Sequence, residues 1–227
     1  MTDSIAHLAT YPGRTALLAA NIAHLRALFP KIVVCLNGYG SIPPYLQGDE
    51  RIAAFIPAQD LKDAGKFADI AGTARYHFLI DDDLIYPKDY VTRMVAHAEA
   101  HGEPVVVGVH GVDYRFWYRG GARGRRVFHF ESALQRAREV DALGTGTVLV
   151  AGTDLPPLAY VQDAAGFVDI RFARWCAEQR LRRVCVSRPA HWLTQSDFDG
   201  PSLFDEVTRV RRTEVLREVN AIRSLRR

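Results

Sequence analysis

Asp81, Asp82 and Asp83 stand side by side directly after the apolar segment YHFLI, and they are the residues of this chain best suited to chemistry. Adjacent carboxylates repel one another, a cost that a divalent cation can neutralise. A plainer use for them is at the start of the helix expected after Pro87, where acids favour the free N–H groups. One aspartate would serve that purpose; three exceed it. If YHFLI is a strand of an open α/β sheet, ligands bind outside the carboxyl ends of such strands. The residues at the other strand ends then matter as well: Tyr11–Arg14, Asn37, Asp60–Lys66 and His110-Gly111, a set rich in polar groups.

The elements that hold these residues follow from hydrophobic periodicity. Ser4–Ala9 reads as a short strand ending at Tyr11-Pro12-Gly13. Leu17, Leu18, Ile22, Leu25 and Leu28 recur at helical spacing through Arg14–Leu28. Lys31–Leu36 (KIVVCL) is a continuous apolar run, short enough for a strand buried on both faces, and Asn37-Gly38 stops it. Arg51–Ile56, Tyr76–Ile80 and Val105–His110 read as further strands. Asp63–Thr73 is expected as a helix that Gly65 weakens, and Pro87 opens a helix to about Ala100. Strand and helix alternating in this way predict a parallel sheet with right-handed crossovers.

The second half is less regular. Tyr114–Arg126 (YRFWYRGGARGRR) reads as a long loop. Val127–Phe130, Thr147–Val150 and Arg183–Val186 are expected strands, and Val168–Glu178 an expected helix. From Asp205 onward Val207, Val210, Leu216, Val219, Ile222 and Leu225 line up as one amphipathic helix. With no linker before Asp199-Gly200-Pro201, the expectation is one α/β domain over residues 1–200 and a helical extension over residues 201–227.

Composition excludes several classes. Across 227 residues, 48% are hydrophobic and 24% charged, which rules out a disordered, collagenous or disulfide-stapled chain. Lys+Arg 29 against Asp+Glu 26 leaves +3, too little to argue for a nucleic-acid partner. Cys35, Cys176 and Cys185 are odd in number and at no metal-ligand spacing, so buried free thiols in a reducing compartment are expected. No apolar stretch is long enough to span a bilayer. The first residues carry an acid where a signal peptide needs bases. A cytoplasmic protein is the expectation.

Acidic clusters after a strand also occur in phosphotransfer receivers and haloacid-type phosphatases, but near the first strand, whereas these acids follow the fourth. The run FLIDDDLIYPKDYVTRMV instead resembles the Asp-x-Asp region of GT-A-fold glycosyltransferases and is similar to bacterial family 2-like enzymes that build surface polysaccharides. Other landmarks occur in order. Ala9–Arg14 (ATYPGR) resembles the first-strand nucleotide loop, and Asp60–Phe67 (DLKDAGKF) the segment that closes over base and phosphates. Leu143–Thr147 (LGTGT) resembles the glycine loop beside the donor sugar. Gly166-Phe167-Val168-Asp169 sits where the family carries its Glu-Asp motif, and His191 where many members place a metal-binding histidine. The resemblance spans about residues 4–195. It departs at Val168, which stands where the family has Glu. The Gln-x-x-Arg-Trp motif of processive synthases is absent, which favours single addition.

The resemblance implies a GT-A-like fold, a Rossmann-like mixed and mostly parallel sheet flanked by helices. It implies metal-dependent transfer of a sugar from a nucleotide-sugar, a UDP-sugar by preference, to a glycan or lipid-linked glycan acceptor. Asp81, Asp83 and His191 would hold Mn²⁺ or Mg²⁺, the histidine tilting the choice toward Mn²⁺. Thr10, Tyr11, Arg14, Asn37, Asp60, Lys66, Asp81, Asp82, Gly144, Thr145 and Gly146 would bind the donor. Asp169 would be the general base of an inverting displacement. Each assignment has a plainer counterpart: a surface Arg14, a solvated Lys66, a turn at Gly144 and Gly146, a helix cap at Asp169, a packed His191. The loop at 114–126 could act as a lid or receive an anionic acceptor. The C-terminal stripe could pack on the domain or rest on acidic lipids as a peripheral membrane contact. Competing functions are a nucleotidyltransferase making a sugar nucleotide, and a non-catalytic glycan-binding module.

Overall fold

The structure, a computed structural model, describes residues 3–68, 74–101, 104–120, 123–152, 154–196 and 212–225. Strand β1 is Ser4–Thr10, and α1 is Thr15–Leu28, entered through a 3-10 turn at Pro12–Arg14 with proline in its first positions. Strands β2 (Lys31–Leu36), β3 (Ile52–Phe55) and β4 (Tyr76–Ile80) follow, then β5 (Leu84–Ile85) and α2 (Tyr90–His101). Next come β6 (Val105–Gly108), β7 (Gly111–Tyr114), β8 (Arg125–Phe128), β9 (Arg138–Glu139), β10 (Ala142–Leu143) and β11 (Thr147–Ala151). Helices α3 (Leu158–Val161) and α4 (Val168–Glu178) precede β12 (Arg182–Cys185) and β13 (Thr194–Gln195). The last element is α5 (Arg212–Ser224).

The fold is α/β, built on an eight-stranded sheet in the order β3-β2-β1-β4-β11-β6-β12-β9. Parallel pairings join β3, β2, β1 and β4, and β6 to β12. β11 runs antiparallel to both β4 and β6, so six strands share one direction and β11 and β9 oppose it. The alternation of strand and helix predicted a parallel sheet; instead the antiparallel β11 lies between β4 and β6, with Thr147 opposite Ile80 and Val148 opposite Gly108. An apolar run buried on both faces looks the same whichever neighbour it takes. The two faces carry separate cores. Leu18, Ile22 and Leu25 of α1 and Tyr90 and Met94 of α2 pack on Leu8, Phe78 and Ile80. Val168, Phe172 and Cys176 of α4 pack with Phe67 on Leu79, Val148 and Val150. Cys35, Cys176 and Cys185 are buried free thiols, and burial pushes the first two up to about 12.

Three expectations change. The helix predicted over Asp63–Thr73 is a 3-10 turn, Lys62–Phe67, and residues 69–73 lie outside the described set. Ala64, Gly65, Lys66 and Phe67 are all buried, which leaves no wet face for an amphipathic helix. Gly65 is pressed so closely on Cys35 that an added Cβ would lie 2.5 Å from its sulfur. Pro87 sits in the turn before α2, where its carbonyl accepts the Tyr90 N–H at 2.9 Å. The expected loop over Tyr114–Arg126 is the end of a hairpin: β7 and β8 pair from Gly111–Phe128 to Tyr114–Arg125, residues 115–120 and 123–124 between them are turn and coil, and β10 pairs with β7.

At the C-terminus, Val215, Val219 and Ile222 of α5 are buried against Tyr114, Tyr118, Phe167, Ile170 and Ala173. Glu218 on the same helix accepts hydrogen bonds from Arg171 at 3.0 Å and Arg174 at 3.5 Å. Of the stripe offered above to acidic lipids, Val219 and Ile222 are covered by α4 and the hairpin, Leu216 is partly buried against them, and Leu225 stays exposed. Val207, Val210 and the 200/201 boundary lie outside the described residues. Among the described residues no helix is long and apolar enough to cross a membrane.

A buried histidine pair joins β1 to β4: His7 Nε2 and His77 Nδ1 are 2.8 Å apart, and the remaining nitrogens, His7 Nδ1 and His77 Nε2, have no partner. Burial first, then His77 and Lys31, lowers the His7 pKa to about 3; burial lowers His77 too, although Asp3 opposes it. The folded state thus binds fewer protons than the unfolded chain. Stability is complete above the unfolded pKa of 6.5 and falls as pH drops toward 3. From pH 7 to about pH 5 the parent protein is expected to lose about 2 kcal/mol through His7. In His7→Leu/His77→Leu, urea unfolding at the two pH values should not show that loss. Buried carboxyls such as Asp63 contribute with the opposite sign in both proteins and cancel in the comparison.

Candidate active site

The carboxyl ends of β1 and β4, the 62–67 turn, the start of β11 and the start of α4 meet at one edge of the sheet. The acidic triplet leaves β4 there, and each member has a different environment. Asp82 is buried and points into the protein. Thr10 Oγ1 donates to its Oδ2 and Arg14 to its Oδ1, both at 2.6 Å, and its carbonyl accepts from Asn21 Nδ2 at 2.7 Å. Thr10 and Asp82 therefore brace the site from within. Arg14 also reaches Asp83 Oδ2 at 3.2 Å. Burial alone would lower the guanidinium pKa, but the charges of Asp82 and Asp83 hold it above its ordinary value. Arg14 lies over the Tyr11 ring, 5.7 Å from its centre.

Asp83 is held by its backbone, its carbonyl accepting the Ser196 N–H at 2.7 Å. Desolvation, then the charge of Asp81, raises its carboxyl to about 6. Asp81 is the most open of the three, its side chain 38% exposed. The Nζ of Lys66, a buried lysine, donates to Asp81 Oδ1 and to the Thr145 carbonyl at 3.4 Å. Burial would lower the Lys66 ammonium; Asp81 overrides it, so the ammonium stays charged above its ordinary range. The solvated-lysine alternative is thereby removed.

The glycine loop closes against the same acid. A Cβ on Gly146 would fall onto the Asp81 carboxylate, 2.5 Å from its Cγ. Tyr86 locks the two together: the Asp81 N–H donates to its hydroxyl at 2.8 Å, and that hydroxyl donates to the Gly146 carbonyl at 2.7 Å. Gly144 lies over His110, and its N–H donates to the His110 carbonyl at 3.0 Å. Thr145, between them, gives both its N–H and its hydroxyl to Asp169 Oδ1, at 2.8 and 2.6 Å. Burial raises the Asp169 carboxyl, and the two Thr145 hydrogen bonds oppose the shift.

Asp169 lies in the first turn of α4 but does not cap it. Asp63, from the 62–67 turn, accepts the N–H groups of Gly166 at 2.5 Å and Val168 at 3.4 Å. Burial raises Asp63 to about 6 in spite of those bonds. A cap supplied from a hundred residues away leaves no local signal, so the sequence placed Asp63 in the Asp60–Phe67 segment without this role. Tyr86 escaped the sequence reading because a tyrosine after an acidic run reads as core. Its ring is indeed fully buried, and only its hydroxyl reaches the site.

Asn37, Asp60 and His191 do not join this cluster. The Asn37 amide is spent on the chain, accepting the Leu61 N–H at 2.9 Å and donating to the Lys62 carbonyl at 3.0 Å. Asp60 is exposed and accepts the Lys62 N–H at 2.9 Å. Both shape the segment that carries Asp63 and Lys66. His191 has an exposed ring and a left-handed backbone at φ 54°, and its N–H donates to the Glu131 carbonyl at 2.7 Å. Among the described residues no group of three or more His, Cys, Asp and Glu side chains stands where it could hold a metal, so Asp81, Asp83 and His191 do not form the expected three-ligand set. Asp81 and Asp83 remain as a pair of oxygen donors. That suits Mg²⁺ or Mn²⁺, which bind through one or two carboxylates together with substrate phosphates. Without the histidine, the reason to favour Mn²⁺ over Mg²⁺ falls away.

Charge balance points the same way. Asp63, Asp81, Asp82, Asp83 and Asp169 face two cations, Arg14 and Lys66. An anionic ligand entering this edge needs further positive charge. Searches with the sequence found no matching protein family and no similar curated protein.

Proposed function

We propose that the protein is a metal-dependent glycosyltransferase that moves a sugar from a nucleotide-sugar donor, of the UDP type, to a glycan acceptor with inversion. One observation carries the reading: segments far apart in sequence bring Arg14, Lys66, Asp81, Asp83, the Gly144–Gly146 loop and Asp169 together at the carboxyl end of the sheet. A divalent cation on Asp81 and Asp83 would stabilise the charge developing on a departing diphosphate. Arg14 and Lys66 compensate the same acids from the protein side. The missing side chain at Gly146 lets the loop backbone lie directly against the Asp81 carboxylate. Asp169 keeps Oδ1 on Thr145, which holds the glycine loop still, and offers Oδ2 to an acceptor hydroxyl as the proton acceptor.

A panel of sugar nucleotides tests the reading. With Mg²⁺ or Mn²⁺ present, slow release of nucleoside diphosphate from at least one donor is expected, abolished by chelator and restored by either ion. Asp83→Ala should lose that turnover and remain folded, because removing one acid from a crowded cluster relieves repulsion. Pyrophosphate chemistry would replace this reading by a nucleotidyltransferase. Silence across the panel would favour a non-catalytic glycan-binding module, and full turnover in excess chelator would reject the metal.

A further inference from the structure

Three of the six large hydrophobic side chains that stand exposed among the described residues belong to the β7–β8 hairpin. They are Phe116 at 83% exposure, Trp117 at 45% and Val127 at 41%. Phe116 and Trp117 are at the tip. The Trp117 ring lies on Gly124, where an added Cβ would come within 3.0 Å of it, and Arg115 stacks over the ring at 5.6 Å. From Tyr114 to Phe130 the chain holds five arginines, Arg115, Arg119, Arg123, Arg125 and Arg126, and no acid. Arg115, Arg119, Arg123 and Arg126 are exposed. Exposed aromatic rings among arginines form an amphipathic surface: the rings suit the headgroup boundary, and the guanidinium groups suit anionic headgroups.

We propose that the tip of the β7–β8 hairpin docks the protein on an anionic lipid bilayer. Phe116 and Trp117 enter the headgroup boundary, and the arginines meet anionic headgroups around them. The base of the hairpin is part of the candidate site: Gly111 of β7 pairs with Leu143, which leads directly into Gly144–Gly146. The paired stretch Gly111–Tyr114 spans about 10 Å at about 3.3 Å per step, and Phe116 and Trp117 lie beyond its far end. A docked hairpin therefore holds the site close above the lipid surface. The Arg223 guanidinium on α5 donates to the Phe116 carbonyl, which ties the tip to the helix whose Val219 and Ile222 are covered. This placement does not depend on the proposed reaction.

Co-sedimentation of the full chain with phosphatidylcholine vesicles, with and without phosphatidylglycerol, tests it. Binding is expected only when the anionic lipid is present, and it should weaken with salt. Phe116→Ala should weaken it roughly tenfold or more, and Arg123→Gln/Arg126→Gln roughly thirtyfold. All three side chains are exposed, so the fold should hold; circular dichroism checks that it does. Leu225→Ser/Arg217→Gln, on the C-terminal side of the molecule, should bind as the parent does. Equal binding to both vesicle types, or no binding, would overturn the proposal. So would hairpin variants that bind as the parent does, or loss through Leu225 and Arg217 alone. An anionic polysaccharide that binds the hairpin when vesicles do not would reassign it to a soluble acceptor and equally overturn the lipid assignment.

Discussion

Asp169→Asn is expected to lower turnover by about 10²–10⁴-fold, the usual contribution of a general base, with the protein still folded and the donor still bound. The geometry makes this substitution informative. Asp169 Oδ1 accepts two hydrogen bonds from Thr145, at 2.8 and 2.6 Å, and an amide oxygen can accept both. The glycine loop therefore keeps its anchor, and only the ability to take a proton is lost. Stability should hold or rise slightly. Burial raises the folded pKa of Asp169, so its contribution to stability is lost as pH rises through that pKa, and a neutral amide removes this cost at neutral pH. Turnover of the parent should decline on the acid side as Asp169 protonates. Product anomers read by NMR should be opposite to the donor's. A variant with near-normal turnover, or a retained anomer, would remove Asp169 from the base role.

Gly146→Ala should cost about as much, by a different route. The added methyl overlaps the Asp81 carboxylate, and neither partner can retreat. Tyr86 bridges the Asp81 N–H and the Gly146 carbonyl at 2.8 and 2.7 Å, and Lys66 holds the other carboxylate oxygen. Relief requires breaking the Lys66–Asp81 pair or pushing the loop out, an overpacking cost of roughly 1–3 kcal/mol. Turnover should fall by at least about 10²-fold, since misplacing a positioned group by an ångström costs that much. Gly144→Ala is the control. Its methyl would meet only the His110 side chain, at 3.2 Å, and turnover should stay within a few-fold of the parent. Equal effects at the two glycines would mean that both serve only the turn.

Much of the site was legible because its residues follow strands. Arg14, Lys66, Asp81, Asp83 and the Gly144–Gly146 loop each follow or precede an apolar run that burial forces into the sheet, and the sheet gathers such ends at one edge. Asn37 and Asp60 were read from the same positions and His191 from the resemblance alone, yet they serve the backbone or face solvent. A polar residue after a strand satisfies chain and ligand equally well on paper, and only the nearest partner decides between them. Thr10 and Asp82 show the same limit from the other side. Their mutual hydrogen bond at 2.6 Å turns an apparent ligand pair into a brace.

What the sequence by itself determined was the strands β1 to β4 and β6, the helix α1, the helix over Val168–Glu178, the buried thiols and the strand ends that carry chemistry. Those follow from burial and periodicity, which act along the chain. Tertiary structure alone decided what depends on neighbours distant in sequence. It set β11 antiparallel between β4 and β6, because a run buried on both faces carries no mark of its partner. It compressed Lys62–Phe67 into a 3-10 turn against Cys35. It brought Asp63 to the start of α4 and so freed Asp169 to face the glycine loop. It also spent Val219 and Ile222 of the α5 stripe on α4 and left Phe116 and Trp117 in solvent. An amphipathic pattern states that a face must be covered; which surface covers it is settled only when every other face has found its partner.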